Sequence, residues 1–251
     1  MYASQRYADA AKSWGLAVDL KHAHSHALLS NMLLEGRPDL PVDYERAFAL
    51  AVAGAGMGCA HSKGVLGRCY AYGRGVAEDR AKGLGLGRES AAAGSCMGQF
   101  VVGKCYHAGW GVAQDHAEAV RLYRLAAAQG HVIAQYNLGN MFREGQGVAQ
   151  DYAEAVRLYR PAAAQGYAAA QNNLGYMFEN GKGVAQDYAE AVRLFRLAAA
   201  QGLAGAQYNL GLMFEYGKGV AQDRGEAIRL YRLAAAQGQA TATEALERLG
   251  A

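Results

Sequence analysis

The chain has 251 residues, 52 % of them apolar, and its 25 basic and 22 acidic side chains leave a net charge of +3. That is enough apolar matter for a folded core, and too even a charge balance for a nucleic-acid or membrane-surface binder. The excess lies before residue 115, with 12 basic and 9 acidic residues, and the remainder is balanced at 13 and 13. No apolar run reaches the roughly 18 residues of a membrane span, and Met1 to Lys12 lacks the apolar stretch of a signal peptide. These features lead to the expectation of a monomeric, cytoplasmic protein.

Periodicity organises the whole sequence. Gly-Val recurs at 75, 111, 147, 183 and 219, and a glycine after an alanine-rich run recurs at 58, 94, 130, 166, 202 and 238, in both cases in steps of 36. Two markers with one period define a repeat array. Counted from Asp151 as position 1, a repeat reads DYAEAVRLYRPAAAQGYAAAQNNLGYMFENGKGVAQ. The repeats then occupy 6–42, 43–78, 79–114, 115–150, 151–186, 187–222 and 223–251, one repeat domain over 1–251.

In chain order, the first repeat is degraded: Tyr-Ala-Asp-Ala at 7–10 answers Tyr-Ala-Glu-Ala at 152–155, and Leu28 to Gly36 parallels Leu138 to Gly145. The second starts at Asp43. The third, from Asp79, has a first helix weakened by Gly83, Gly85 and Gly87. The repeats from Asp115, Asp151 and Asp187 are near copies, and the last, from Asp223, keeps its first helix and ends in an altered second one that serves as a cap.

Each repeat encodes two helices. Aspartate with glutamate three residues on (Asp115/Glu118, Asp151/Glu154, Asp187/Glu190, Asp223/Glu226) predicts an N-cap with a capping box. Gly130, Gly166, Gly202 and Gly238 predict left-handed caps after the first helix. The second helix is predicted from about Ala134 to Glu144, closed by Gly145 and Gly147. Gly67, Gly103, Gly139, Gly175 and Gly211 fall mid-helix, where glycine costs about 1 kcal/mol against alanine, so the neighbouring helix backbone is expected to approach closely there. Ala155, Leu158 and Ala162 share one face, as do Ala170, Leu174 and Phe178, and stacking such faces makes a continuous core. Pro161 stands where other repeats have Leu125, Leu197 and Leu233 and predicts a kink.

The stretch AAAQGxxxAQxNLGxMFExGxGVAQDYAEAVRLYR resembles the Sel1-like repeat, a relative of the tetratricopeptide repeat, over residues 7 to about 238. The resemblance implies an all-α, right-handed superhelical solenoid and an adaptor or scaffold role, with the first helix of each pair lining the concave surface. One bacterial branch of that family is cysteine-rich, disulfide-stapled and acts on penicillin-type ligands; the regular cysteine pair of that branch is missing here.

Candidate sites follow from the frame. Cys69 and Cys105 are 36 apart, where other repeats have Met141, Met177 and Met213. Equivalent positions on stacked helices lie about 8–10 Å apart, beyond the roughly 7 Å a disulfide spans, so buried free thiols are expected; Cys59 and Cys96 could approach at helix starts. His22, His24 and His26 look like a metal tract, but only His22 and His26 share a helical face, and no metal or cofactor is expected. Cys105 and His107 point different ways on one helix, and no nucleophile elbow, phosphate loop or zinc motif occurs, so no enzyme activity is expected.

The arginines at positions 7 and 10 form a double ladder, the first set pairing with Glu at position 4. Position 9 aromatics (Tyr123, Tyr159, Phe195, Tyr231) are read as packing. The candidate partner surface on the first helix comprises His116, Tyr152, Tyr188 and Arg224 at position 2 with Arg124, Arg160, Arg196 and Arg232 at position 10. The alternative is the stripe that varies between otherwise identical repeats, Tyr136, Asn172 and Tyr208 with Asn140 and Tyr176, joined by Arg143, Glu179 and Glu215. Three functions are weighed: a scaffold binding a protein or peptide, a ligand-binding or β-lactam-hydrolysing solenoid, and a structural spacer. The scaffold leads, because repeats cover the whole chain and no catalytic constellation is present.

Overall fold

A computed structural model describes residues 9, 12, 13, 15, 22–36 and 40–251. The opening helix expected at 7–10 lies, Asp9 apart, outside these residues. Among the described residues thirteen helices have both ends defined: α1 (Ala23–Glu35), α2 (Tyr44–Gly56), α3 (Ala60–Tyr72), α4 (Arg80–Ala92), α5 (Cys96–Ala108), α6 (His116–Ala128), α7 (Val132–Glu144), α8 (Tyr152–Ala164), α9 (Ala168–Asn180), α10 (Tyr188–Ala200), α11 (Ala204–Tyr216), α12 (Arg224–Ala235) and α13 (Ala240–Leu249). The even-numbered helices are the first and the odd-numbered the second of each 36-residue repeat. The second helix starts at Val132, two residues ahead of the expectation, because the glycine cap before it turns the chain within two residues.

The aspartates cap as expected: Oδ1 of Asp115, Asp151 and Asp187 accepts from the backbone N–H three residues on at 2.9–3.0 Å. The glutamate does not close a reciprocal box. The N–H of the capping Asp187 is already spent on the carbonyl of Phe178 at 2.9 Å, and that of Asp223 on Phe214 at 3.0 Å. Glu190 and Glu226 therefore turn to Arg193 and Arg229 instead, each in a two-point contact at 2.7 Å. The punctuating glycines take left-handed backbone, with φ of 82° at Gly130 and 86° at Gly166.

By Cα packing the chain divides into two compact units, Met1–Ala134 and Gln135–Ala251. In the second unit the core is one set of positions repeated: Ala155, Tyr159, Ala162, Ala170 and Met177 are each 0 % exposed, and so are Ala191, Phe195, Ala198, Ala206 and Met213. The mid-helix glycines are explained by rings rather than by a neighbouring backbone. A Cβ on Gly139 would sit 2.6 Å from the Tyr159 ring, on Gly175 2.8 Å from Phe195, and on Gly211 2.5 Å from Tyr231. Each position 9 aromatic lies in the notch of the preceding repeat's glycine, which offsets the helix penalty.

In the first unit the same notch at Gly103 takes Tyr123 at 2.9 Å. At Gly67 the next repeat offers Gly87 in place of an aromatic, and there the expected close backbone approach does occur. A Cβ on Gly67 would lie 2.9 Å from the Gly83 carbonyl oxygen and 3.1 Å from the Gly87 nitrogen. Gly83 and Gly87, which weaken α4 as an isolated helix, thus let it pack against α3, and α4 keeps the full 13 residues.

Helix α8 runs through Pro161 uninterrupted, at the same 13-residue length as α6 and α10. Proline removes one backbone hydrogen bond and crowds the Arg157 carbonyl. Leu197 and Leu233 at the same position are 43 % exposed, so a leucine fits without a new cavity or clash. Pro161→Leu is expected to stabilise the second unit by about 1–3 kcal/mol, read as a higher midpoint in urea denaturation followed by helicity.

Candidate partner-binding surfaces

The position 7 arginines are internally paired. Arg121, Arg157, Arg193 and Arg229 each hold the glutamate three residues earlier at 2.6–2.8 Å. The arginine hydrogen bond holds the Glu118 and Glu226 carboxyls below the usual carboxylate range. At position 10 the guanidinium of Arg160 lies 5.5 Å from the centre of the Phe178 ring, and that of Arg196 5.7 Å from Phe214. Arg124 and Arg232 are exposed.

Of the four position 2 residues in the candidate surface only Arg224 is exposed; its guanidinium reaches the Leu249 carbonyl at 2.5 Å. His116, Tyr152 and Tyr188 are half-buried. Position 33 of the same repeat explains this: Gly183 lies so close under Tyr152 that a Cβ would stand 2.2 Å from the Tyr152 carbonyl carbon. The loop residue just before it, Lys182, then lies 5.4 Å from the Tyr152 ring, and Lys218 lies 5.7 Å from Tyr188.

Lys182 also joins the two rival surfaces. Its Nζ donates to the Tyr176 hydroxyl at 3.1 Å and stands 5.1 Å from the Tyr176 ring. Tyr152 on α8 and Tyr176 on α9 therefore belong to one patch centred on that ammonium group, with Tyr176 36 % exposed.

The varied stripe is less free than its variability implies. Asn140 is half-buried and its Oδ1 accepts from Tyr159 Oη at 2.7 Å and from Asn173 Nδ2 at 3.0 Å. Where position 9 is Phe195, with no hydroxyl, the corresponding residue is the exposed Tyr176. Where it is Tyr231, the hydroxyl donates to Glu215 at 2.6 Å and position 26 becomes Leu212. A buried hydroxyl needs an acceptor, and a residue at 26 or 29 supplies it: Asn140 for Tyr159 and Glu215 for Tyr231, while Glu179 precedes Phe195, which has no hydroxyl to meet. Asn172 accepts from Asn209 at 2.9 Å, and Tyr136 and Tyr208 lie tilted against Tyr159 and Tyr231.

Another repeated contact escaped the sequence reading. Gln201 donates to Gln171 at 2.8 Å, Gln237 to Gln207 at 2.9 Å and, in the first unit, Gln129 to Gln99 at 2.9 Å. The recurrence of glutamine at position 15 (Gln129, Gln165, Gln201, Gln237) and position 21 (Gln99, Gln135, Gln171, Gln207) was the available signal, but such a glutamine reads as a solvated residue unless the stacking is known.

The four cysteines are free thiols. Burial pushes Cys69 and Cys105 up to about 11, so little thiolate exists at neutral pH and Cys105 is poorly suited to nucleophilic attack. Titration of the denatured, unreduced protein is expected to find four thiols, and fewer would mean disulfides. The three histidines of the tract diverge: His22 Nδ1 meets Ser25 Oγ at 3.0 Å, His26 is buried and donates to the His22 carbonyl at 3.0 Å, and His24 lies 5.6 Å from the His61 ring. His26 is thus buried rather than solvated.

The model of the Sel1 repeat matches residues 23–59, 65–95, 96–131, 132–167, 168–203 and 204–239. The chain belongs to the Sel1 repeat family. Its fold is an all-α repeat solenoid. A protective antigen of uropathogenic Escherichia coli displaying an SLR fold is similar, at 32 % identity and a TM-score of 0.70 over 94 % of this chain and 50 % of that one. A Sel1 repeat protein from Oxalobacter formigenes is similar at 30 % identity and a TM-score of 0.71, over 90 % and 65 %. The chain thus spans half and about two thirds of the lengths of these two relatives. An immunity protein from Pseudomonas aeruginosa shares the fold at 21 % identity and a TM-score of 0.55, over 84 % and 80 %. No curated protein sequence matches.

The Sel1 matches beginning at 96, 132, 168 and 204 start on the first residues of α5, α7, α9 and α11. The family model thus opens each of these matches on the helix that the 36-residue count from Asp151 places second.

Proposed function

We propose that this Sel1 repeat protein is a non-catalytic scaffold that holds an extended segment of a protein partner on its second unit, at the patch formed by Tyr152, Tyr176 and Lys182. The observation that carries the reading is the convergence of Tyr152 and Tyr176 on the Lys182 ammonium group. Tyrosine is a favoured anchor because it buries a large ring and keeps a polar tip. The exposed Tyr176 lies on the helix with which the family match at 168–203 opens, and Sel1 repeats generally serve as protein-interaction scaffolds. The position 10 arginines, of which Arg160 and Arg196 are stacked on their own repeats' phenylalanines, play a lesser part.

The test places a photo-crosslinking amino acid at position 176, identifies the captured partner, and measures its affinity for variants. Tyr152→Ala and Tyr176→Ala are each expected to weaken binding about tenfold or more. A loss confined to a variant with Arg124, Arg160, Arg196 and Arg232 all changed to Gln, with the tyrosine variants binding normally, would overturn the reading.

A further inference from the structure

Cations and rings alternate in the first unit, away from the patch just described. Trp110, in the loop after α5, lies edge-on to Tyr72 at the end of α3, with ring centres 5.0 Å apart and planes at 84°. Arg80 stands 4.7 Å from the centre of the Trp110 ring and Lys104 5.4 Å. Arg74 stands 5.2 Å from Tyr72 and 5.3 Å from Tyr44. Three cations from two consecutive repeats are thus held within about 15 Å of one another, the reach of four or five extended residues.

Their charge is barely offset. Among the described residues Arg80 pairs with the exposed Glu78 at 2.8 Å, an arrangement of little strength in water. Arg74 and Lys104 have no carboxylate partner among those residues; Arg74 donates to the Leu34 carbonyl at 3.3 Å. This region also holds the chain's whole excess of positive charge. The rings pre-organise the cations, which lowers the entropy cost of binding an anion.

We infer that Arg74, Arg80 and Lys104 form a second docking surface, for an acidic protein segment carrying several carboxylates within about five extended residues. Carboxylates fit better than a nucleic acid. Binding of single strands relies on open aromatic faces for base stacking, whereas here the faces of Trp110 and Tyr72 are occupied by the protein's own cations and by each other. What the surface offers outward is positive charge and N–H donors at fixed spacing.

The experiment titrates the whole protein into fluorescein-labelled decaglutamate and, in a parallel arm, labelled oligothymidylate of ten residues, following anisotropy at low salt. Decaglutamate is expected to bind more tightly than the oligonucleotide and to weaken as salt is raised. Arg74→Gln with Lys104→Gln is expected to weaken it about tenfold, and Arg80→Gln, at an exposed site that leaves packing intact, to weaken it severalfold. Arg157→Gln with Arg193→Gln removes the same charge elsewhere and is expected to leave binding unchanged. Absence of decaglutamate binding, equal loss in the Arg157/Arg193 control, undiminished binding in both the Arg74/Lys104 and the Arg80 variants, or tighter binding of the oligonucleotide each overturns the inference, the last in favour of a nucleic-acid surface.

Discussion

Lowering the pH from 7 to 5 is expected to destabilise the first unit by about 2–4 kcal/mol through two histidines. Burial lowers His61 to about 4, with His24 adding a small repulsion, and lowers His131 to about 3, with Arg68 and His61 adding to it. His61 Nδ1 meets Ser95 Oγ at 3.3 Å, while His131 lies against the Phe100 ring at 4.5 Å and its Nδ1 accepts from the Ala134 N–H at 3.2 Å. An acceptor nitrogen must stay unprotonated. The unfolded chain binds these protons near pH 6.5 and the folded one only near pH 4 and below, so stability is complete above about pH 7 and falls with pH through that window. The glutamates paired with arginine, such as Glu118 and Glu226, act in a separate and more acidic window, because their depressed values make stability fall only near and below the ordinary carboxylate range. Urea midpoints measured from pH 7.5 to 5 check the prediction. A flat profile would refute it, and His61→Gln with His131→Asn is expected to flatten the slope while keeping a polar group at each site.

Gly183→Ala is expected to cost about 2–5 kcal/mol, in contrast to Gly166→Ala in the same repeat at about 1–2 kcal/mol. Both glycines have left-handed backbone, with φ of 69° and 86°. A Cβ on Gly166 would meet nothing within 4 Å, so only the conformational cost applies. On Gly183 it would stand 2.2 Å from the Tyr152 carbonyl carbon and 2.5 Å from the Ala153 nitrogen, backbone atoms that cannot move aside without shifting α8. The difference between the two variants in denaturant midpoint isolates the clash. Equal losses would mean that the loop and the start of α8 are not in contact in solution. Because Lys182 is carried by the same turn, Gly183→Ala is also expected to weaken any partner held at Tyr152 and Tyr176.

The 36-residue period, the helix limits to within about two residues, the glycine turns, the aspartate caps and the buried aromatics at position 9 were all legible in the sequence. Each depends on local backbone preference or on a spacing that repeats, and repetition shows which positions matter without naming what they touch. For the same reason the sequence, which placed Asn140 and Glu215 in a stripe that varies between repeats, did not show that the Tyr159 and Tyr231 hydroxyls donate to them. Their constraint lies in the next repeat, in whether its ring carries a hydroxyl, and position-by-position comparison of repeats does not register a rule that couples neighbours. The notch filled by Tyr159 at Gly139, the turn of Glu190 toward Arg193 once the Asp187 N–H is taken by Phe178, and the meeting of Tyr152 with Tyr176 at Lys182 are likewise decisions of packing. Sequence by itself determined that this chain is a stack of helical hairpins, because a hairpin too small to bury its own apolar face must stack. Only the tertiary structure decided which polar and aromatic groups remain available, because that depends on hydrogen bonds and ring contacts made between helices far apart in the chain.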